Sequence, residues 1–399
     1  MENLPSSIPF VGRAPLLAEL YQFLSAPASY AVCLQSFEGL GKSLLLTRLT
    51  TLDDHVSCAL IPLSPTIISS ETVFLETLIT ASHAIMDRDG VNMLVIPTLE
   101  NQDNLREWLT TTYLPAVGRM MRSQRRLVWL LDDVQVLAEG ITNGTLPSDL
   151  PAFLHSVLPQ FPFVSIICTL DEDTAVDMAL LAPLVTVDHT ERLSRLTRDE
   201  SDALLIASLE YVPAPLAEQA YVQTGGLPRL LIHLTEALQS YEPLDEAVEL
   251  TYQRNQITFR HVWDLLSRDE RVVLTAIINL SYDDPLKAIT PNLVERWLVD
   301  SDNPMDATTI NAQLRGLEYR HILRLRPQQL DFVADLFKRW LYEHARLDAV
   351  DVPASPRWAI VLALLALVLV VVLVVFAVNA LPPAAVVTEL PLPTVTLGS

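Results

Sequence analysis

The sequence predicts an α/β fold with a doubly wound parallel sheet, followed by helical segments, a second small domain and one transmembrane helix. Two observations predict the sheet. A strand, a glycine-containing loop and a helix follow one another near the N-terminus, and further apolar strands alternate with helical patterns. The third observation is a run of 21 uncharged residues from Trp358 to Val378, because about 20 apolar residues are enough to cross a bilayer.

Length and charge limit the classes of protein that this chain can belong to. Its 399 residues suffice for two or three domains, and 50% of them are hydrophobic, so a buried core is expected. There are 27 basic and 48 acidic residues, a net charge of −21. This balance disfavours broad binding to nucleic acid, which depends on Lys and Arg neutralising phosphates. The cysteines lack the spacing of a disulfide framework or a zinc site.

The first predicted strand, Tyr30 to Gln35, leads into SFEGLGKS and a helical pattern. Gly41, Lys42 and Ser43 match the phosphate-binding motif G-x-x-x-x-G-K-S/T, with Ser36 in place of its first glycine. The loop glycines let backbone N–H groups turn toward phosphate, the lysine supplies charge for the β- and γ-phosphates, and the motif serine can bind Mg²⁺. The predicted contacts of ATP or ADP in this loop are Gly39, Leu40, Gly41, Lys42 and Ser43.

A second half of the site is predicted where the apolar strand Leu127 to Leu131 ends in Asp132 and Asp133. We expect Asp132 to share Mg²⁺ with Ser43 and Asp133 to act as the general base of hydrolysis. Hydrolysis is expected to be slow, because Asp is one methylene shorter than the usual Glu. The predicted catalytic residues are therefore Lys42, Asp132 and Asp133.

The other predicted strands are Val56 to Pro62, Phe163 to Thr169 and Leu184 to Val187, which complete a five-stranded parallel sheet. Thr169 ends the fourth strand, beside the strand of Asp132. It could sense the γ-phosphate there, or it could be a β-branched strand residue without a role in binding.

Several motifs carry a resemblance to a known family. FVGR (Phe10 to Arg13), SFEGLGKS, LLDD and GGLPR (Gly225 to Arg229) occur in this order. Over residues 8–345 the chain resembles origin-recognition-like AAA+ ATPases and the related STAND signalling ATPases. The resemblance implies an ATPase core, a helical lid and a winged-helix domain, with ADP held in the resting state and ATP in the active one. The nucleotide-binding positions that it implies are Val11, Gly12, Arg13, an adenine contact at Pro228, and Arg229.

Some positions depart from the pattern of these families. An acidic residue usually follows FVGR, whereas Ala14 and Leu16 stand here. The segment after the fourth strand reads CTLDED, where many STAND members carry an arginine. The arginine finger is therefore unassigned, and Arg229 has the alternative of a solvated helix residue.

The lid can be predicted from local signals. Thr197 and Glu200 form a capping box that begins a helix running through Leu209. A second helix over Pro215 to Gln223 ends at a pair of glycines. The predicted domains are an ATPase core (8–190), a helical lid (191–265), a winged-helix domain (266–346), a linker (347–357), a transmembrane helix (358–378) and a disordered tail (379–399).

The winged-helix domain raises the question of DNA binding. With 11 basic and 12 acidic residues it is near neutral, whereas a DNA-reading surface gathers basic side chains. We favour a domain that packs on the ATPase core and relays its state. The candidate DNA contacts of the alternative are Arg315, Arg320, Arg324 and Arg326.

Charge also predicts the membrane orientation. Lys338, Arg339, Arg346 and Arg357 precede the apolar run, and no Lys or Arg follows it. The positive-inside rule then places residues 1–357 in the cytoplasm and the tail outside, in a single-pass protein of the cell membrane. The sequence therefore predicts a membrane-anchored ATP-binding protein, a slow ATPase that acts as a switch and works as a homo-oligomer or with a protein partner. The alternatives are a membrane-tethered DNA-binding regulator and a pseudo-ATPase scaffold.

Overall fold

The computed structural model describes residues 9–345 except 27, 52–54, 92–96, 98–103, 122–124, 187–188, 241–242, 284–287 and 327–328. Within this part of the chain, a parallel sheet is formed by β1 (Ala31–Ser36), β2 (Val56–Pro62), β3 (Arg126–Asp132), β4 (Val164–Asp171) and β5 (Thr190–Arg192). The strand order is β2-β3-β4-β1-β5. Strands β2, β3 and β4 lie on one side of β1, and β5 lies on the other side. The strand order therefore changes direction at β1, and α/β proteins bind ligands at such points.

Helices cover both faces of the sheet. They are α1 (Ala14–Ser25), α2 (Lys42–Leu49), α3 (Glu71–Arg88), α4 (Leu105–Trp108), α5 (Leu114–Met120), α6 (Gln135–Thr142) and α7 (Leu150–Gln160). A π-helical turn, Leu109–Tyr113, joins α4 to α5. Short 3₁₀ turns lie at Ile67–Ser69 and Met178–Leu180.

The alternation of side chains along β3 shows why this sequence forms a central strand. Every residue of the strand is buried. Val128 and Leu130 belong to the core beneath α1 and α2, whereas Leu127, Trp129 and Leu131 belong to the core on the opposite face. A strand buried on both faces needs a continuous apolar run, and LVWLL provides it.

Two strand predictions were wrong in detail. The described residues of the predicted fifth strand, 184–186, lie in a turn in which the Leu184 and Val185 amides donate to Leu181 O. Leu184 is fully buried in the core, so this segment is apolar because the turn packs into the core. β5 begins instead at Thr190. The fourth strand does not end at Thr169 but continues to Asp171, because residues 31–36 of β1 pair with residues 166–171 of β4.

A group of helices follows the sheet: α8 (Arg198–Ser208), α9 (Ala214–Thr224), α10 (Pro228–Gln239) and α11 (Leu244–Leu265). The predicted capping box is present, since Thr197 Oγ1 accepts from Glu200 N and Glu200 Oε2 accepts from Thr197 N. Gly225 ends α9 with φ +64°, and a Cβ there would collide with the carbonyl oxygen of Val333. The glycine therefore permits the end of α9 to approach the last part of the described chain closely.

The remaining elements are α12 (Arg268–Asp283), α13 (Pro291–Asp300), α14 (Ala307–Tyr319), β6 (Leu323–Arg326), β7 (Gln329–Phe332) and α15 (Asp335–His344). β6 and β7 form an antiparallel pair where the sequence predicted a short hairpin. Aromatic side chains join α15 to α11, with Phe337 5.5 Å from Phe259 and Trp340 6.4 Å from Trp263 between ring centroids.

The predicted linker, transmembrane helix and tail, residues 347–399, lie outside the described residues. Among the residues that are described, none of the helices has the length and apolar character needed to cross a membrane.

Candidate functional site

The loop between β1 and α2 places a lysine at the carboxyl edge of the sheet. Gly39 and Gly41 have φ values of +82° and +86°, which glycine adopts without steric cost. Lys42 begins α2 and is 7% exposed. Its Nζ donates to Ser36 O at 2.9 Å and to Phe37 O at 3.3 Å. The loop therefore closes around the ammonium group.

The start of α2 is suited to an anion. Gly41 is the N-cap residue, and no side chain caps the helix. The first amides of a helix have no partner within the helix and carry a partial positive charge. Ser43, in the first turn, is exposed. A phosphate group fits this chemistry, because it can accept hydrogen bonds from such amides.

The end of β3 holds a fixed pair of carboxylates at the same edge of the sheet, separated from the loop by β4. Asp132 is 2% exposed, and its Oδ1 accepts a hydrogen bond from Thr169 Oγ1 at 2.6 Å. The same hydroxyl accepts from Asp133 N at 2.8 Å. Asp133 has a left-handed backbone with φ +65°. Thr169 thus links β4 to both aspartates, and its hydroxyl is engaged by them.

The surroundings of the Asp133 carboxyl shift its pKa upward. Burial raises the pKa of this carboxyl, and the neighbouring Asp132 raises it further. Gln135 Nε2 donates to Asp133 Oδ1 at 3.1 Å, which works in the opposite direction. The carboxyl is therefore held in one orientation by Gln135, and the upward shift of its pKa makes the carboxylate a stronger proton acceptor than an exposed aspartate.

The FVGR segment is tied to the loop by Arg13. Its guanidinium donates to Leu40 O and, at 3.0 Å, to Ser194 O. Its backbone N–H donates to Glu200 Oε1 at 2.6 Å. Burial lowers the pKa of Arg13 to about 10, partly offset by Glu200. The side chain of Arg13 therefore supports the backbone of the loop.

The start of α10 lies directly on the same loop. A Cβ on Gly41 would be 3.6 Å from Cβ of Pro228. The N–H of Arg229 donates to Gly39 O at 3.2 Å, and its Nη1 pairs with Glu38 Oε1 at 2.8 Å. The GGLPR motif and the phosphate-binding motif are therefore in contact, although about half of the chain separates them.

The comparisons with known proteins bear on the fold. No protein-family model matches the chain, and no curated protein does. Among solved structures, it is similar to the Walker-type ATPase PABY2304 of Pyrococcus abyssi, at 15% identity and a TM-score of 0.56 over 85% of this chain and 99% of that one. The chain has a Walker-type ATPase fold.

Two further solved structures show more distant similarity. The Orc1 protein of Aeropyrum pernix, solved in complex with DNA, is 16% identical, with a TM-score of 0.38 over 86% of this chain and 95% of that one. A STAND protein of Pyrococcus horikoshii, PH0952, with a tetratricopeptide repeat sensor, is 15% identical, with a TM-score of 0.38 over 87% of this chain and 45% of that one. The P-loop ATPase fold that the sequence resemblance implied is confirmed by the similarity to the Walker-type ATPase of Pyrococcus abyssi.

In this Walker-type fold most of the predicted residues fall into two groups, and Val11 and Gly12 belong to neither. One group surrounds the loop, and the other lies at the end of β3 and near the end of β4. Val11 packs against the α8–α11 core, and a Cβ on Gly12, which has φ +84°, would lie 2.9 Å from Glu200 Oε1. The first group consists of Arg13, Gly39, Leu40, Gly41, Lys42, Ser43, Pro228 and Arg229, and the second of Asp132, Asp133 and Thr169.

Sequence reasoning missed Glu38, Gln135 and Asp171. The Asp171 carboxylate lies 3.5 Å from Lys42 Nζ, and its amide donates to Gln135 Oε1 at 3.3 Å. Burial raises the pKa of Asp171, while Lys42 lowers it. A signal was available in CTLDED, three acidic residues at the end of a strand that neighbours β1.

The C-terminal end of α14 also contacts the loop. The Phe37 ring lies 5.6 Å from the Tyr319 ring and 5.3 Å from the Arg320 guanidinium. Arg320 pairs with Asp173 and, at 3.4 Å, with Glu270. The end of α14 thus rests on the phosphate-binding loop and on the segment that follows β4.

Proposed function

We propose that this protein is a membrane-anchored, ATP-binding protein that hydrolyses ATP slowly and acts as a nucleotide-dependent switch. The observation that carries the nucleotide site is the position of Lys42. Its buried ammonium group lies in a glycine-containing loop, and Asp132 ends a strand on the other side of β4. Titration of the full chain with MgATP and MgADP tests the proposal, and the absence of binding to either contradicts it.

The chemical roles follow from the positions of the side chains. Lys42 and the first amides of α2 bind phosphate oxygens. Ser43 and Asp132 would hold Mg²⁺, which would neutralise phosphate charge. Asp133 orients the attacking water and accepts its proton. Thr169, with its hydroxyl shared between the two aspartates, keeps them in place.

The switch is proposed to work through the elements that touch the loop. In this proposal α8–α11 are the helical lid and α12–α15 with β6 and β7 are a winged-helix domain. Both reach the nucleotide loop directly, the lid through Arg229 and Glu38 and the second domain through Arg320 and Phe37. A nucleotide that binds the open and closed arrangements with different affinity would shift the population between them.

The Arg320→Ala variant is expected to release bound ADP about fivefold faster than the wild type does. A factor of about five corresponds to a typical coupling free energy between two sites. The substitution removes the ion pairs with Asp173 and Glu270 and the contact with Phe37. Stopped-flow displacement of a fluorescent ADP analogue from the full-length protein measures the rate.

Arg326→Ala is the matched control, because Arg326 is 59% exposed and pairs with Asp331 inside the β6–β7 hairpin. Thermal unfolding of both variants shows whether the fold is retained. Equal release rates in a folded Arg320→Ala protein and the wild type would mean that α14 does not restrain the nucleotide.

The membrane anchor is proposed from residues 358–378. We expect the full chain to stay in the membrane fraction after alkaline carbonate washing, and a chain ending at residue 357 to be released. The physical reason is that 21 uncharged residues favour the hydrocarbon layer over water. Release of the full chain by carbonate would rule out the anchor, and cleavage of the N-terminal part by externally added protease would reverse the orientation.

Binding to duplex DNA is the second candidate function, since one structural neighbour was solved with DNA. Two of the basic residues named as candidate DNA contacts already have partners within the protein. Arg320 pairs with two carboxylates, and Arg324 Nη2 donates to Val333 O at 3.2 Å. Affinity for duplex DNA that falls steeply with salt would support this function. Nucleotide binding without measurable turnover would instead favour the pseudo-ATPase scaffold.

A further inference from the structure

The topology of the sheet brings Asp171 to the phosphate-binding loop. β4 lies between β3 and β1, and Asp171 is paired in register with Ser36, the last residue of β1. The carboxyl ends of these strands therefore meet where the loop begins. Because β4 continues past Thr169, the Asp171 side chain lies at the same edge as Lys42.

The carboxylates of the CTLDED segment have different partners. Glu172 pairs with Arg192 at 2.7 Å, and Asp173 pairs with Arg320. Asp171 Oδ2 lies 3.5 Å from Lys42 Nζ, and the two side chains are 20% and 7% exposed. Asp171 Oδ1 accepts from Asp173 N at 3.2 Å, which fixes the carboxylate in this direction.

The ammonium group of Lys42 therefore already has partners within the protein. Its Nζ contacts two backbone carbonyls and the Asp171 carboxylate. A P-loop lysine serves the β- and γ-phosphates, so a bound triphosphate must share this ammonium group with Asp171. Asp132 and Asp133 add further negative charge at the neighbouring strand end. Each additional phosphate charge brought to this edge meets repulsion that is only weakly screened in a buried site.

We propose that Asp171 is a specificity-determining residue that disfavours nucleoside triphosphate relative to diphosphate by holding Lys42 and placing a carboxylate beside the terminal phosphate. This inference rests on the proposed nucleotide site. It deepens the proposed switch, because the preference for the diphosphate makes the ADP-bound form the resting one.

The test compares MgATP and MgADP affinity in the full-length protein by isothermal titration calorimetry. Asp171→Asn keeps the size of the side chain and removes its charge. We expect this variant to bind ATP about tenfold more tightly than the wild type, a change in binding free energy of the same size as a shift of about one pKa unit. ADP affinity is expected to change by about twofold or less, because the diphosphate brings less charge to this edge. The wild type is expected to bind ADP more tightly than ATP.

Asp87→Asn is the matched control. Asp87 is an exposed residue of α3, so this variant makes the same change in net charge away from Lys42. Its ATP and ADP affinities should both equal those of the wild type. Thermal unfolding of Asp171→Asn confirms that the protein titrated is folded.

Two results would overturn the inference while leaving the nucleotide site intact. One is an unchanged ratio of ATP to ADP affinity in Asp171→Asn. The other is weaker ATP binding by this variant, which would mean that Asp171 assists the triphosphate or its metal ion. If neither the wild type nor any variant binds a nucleotide, the proposed function itself is wrong, and the role of Asp171 falls with it.

Discussion

Replacing Lys42 by alanine is expected to weaken the binding of both MgATP and MgADP by about a hundredfold, close to 3 kcal/mol. The substitution removes the ammonium group at the centre of the loop. It also leaves the Asp171 carboxylate, whose side chain is 20% exposed, without the cation that lies 3.5 Å away. Both changes act against a polyanionic ligand. Calorimetric titration of the full-length protein with each nucleotide measures the loss.

Lys338→Ala provides the matched control. Lys338 lies in α15, among the elements after α11, so this variant loses the same charge from a residue outside the loop motif. It is expected to bind both nucleotides as the wild type does. If a folded Lys42→Ala protein binds both nucleotides within about threefold of the wild type, the loss of binding free energy is smaller than the net contribution of a typical charged hydrogen bond. That result would exclude the loop as the phosphate site.

Asp132→Asn is expected to abolish the Mg²⁺ dependence of ATP binding and to lower any turnover about a hundredfold, the scale of one lost electrostatic contribution to a transition state. The amide oxygen can still accept the hydrogen bond from Thr169 that Oδ1 accepts at 2.6 Å. The local structure is therefore preserved while the charge that holds the metal ion is lost. ATP binding at increasing Mg²⁺ concentration and the release of inorganic phosphate are the two measurements.

Repeating the ATP titration in EDTA, which removes Mg²⁺, separates the effect of Asp132 on metal binding from its effect on nucleotide binding. Without Mg²⁺, Asp132→Asn should bind ATP at least as tightly as the wild type, because the substitution removes a negative charge from this edge. Asp87→Asn, with its exposed side chain, again controls for net charge. A Mg²⁺ response retained in Asp132→Asn would assign the metal ion to other residues.

Local sequence signals predicted most of the candidate site. The loop with Gly41 and Lys42 could be found because its chemistry depends on residues that are adjacent in sequence. The strand before Asp132 could be found because a strand buried on both faces needs an unbroken apolar run. Thr197 and Glu200 were found because a capping box joins residues three positions apart.

Errors arose where packing overrides local patterns. Leu184 looks like a strand residue, yet it is buried in a turn, since both environments select apolar side chains. The sequence predicts that β4 ends at Thr169, and the acidic residues from Asp171 onward resemble a loop. Pairing with β1 extends the strand to Asp171, and only the neighbouring strand supplies those hydrogen bonds.

The sequence by itself determined the P-loop, the two aspartates at the end of β3, the helix caps and the apolar segment proposed to enter the membrane. Each of these depends on short-range periodicity or on a contiguous motif. Only the tertiary structure decided which charges meet. Arg229 pairs with Glu38 across 191 positions and Arg320 with Asp173 across 147, while Asp171 meets Lys42 across 129. Such pairs are set by strand order and helix packing, because one charged residue in a sequence carries no information about which distant residue will lie beside it.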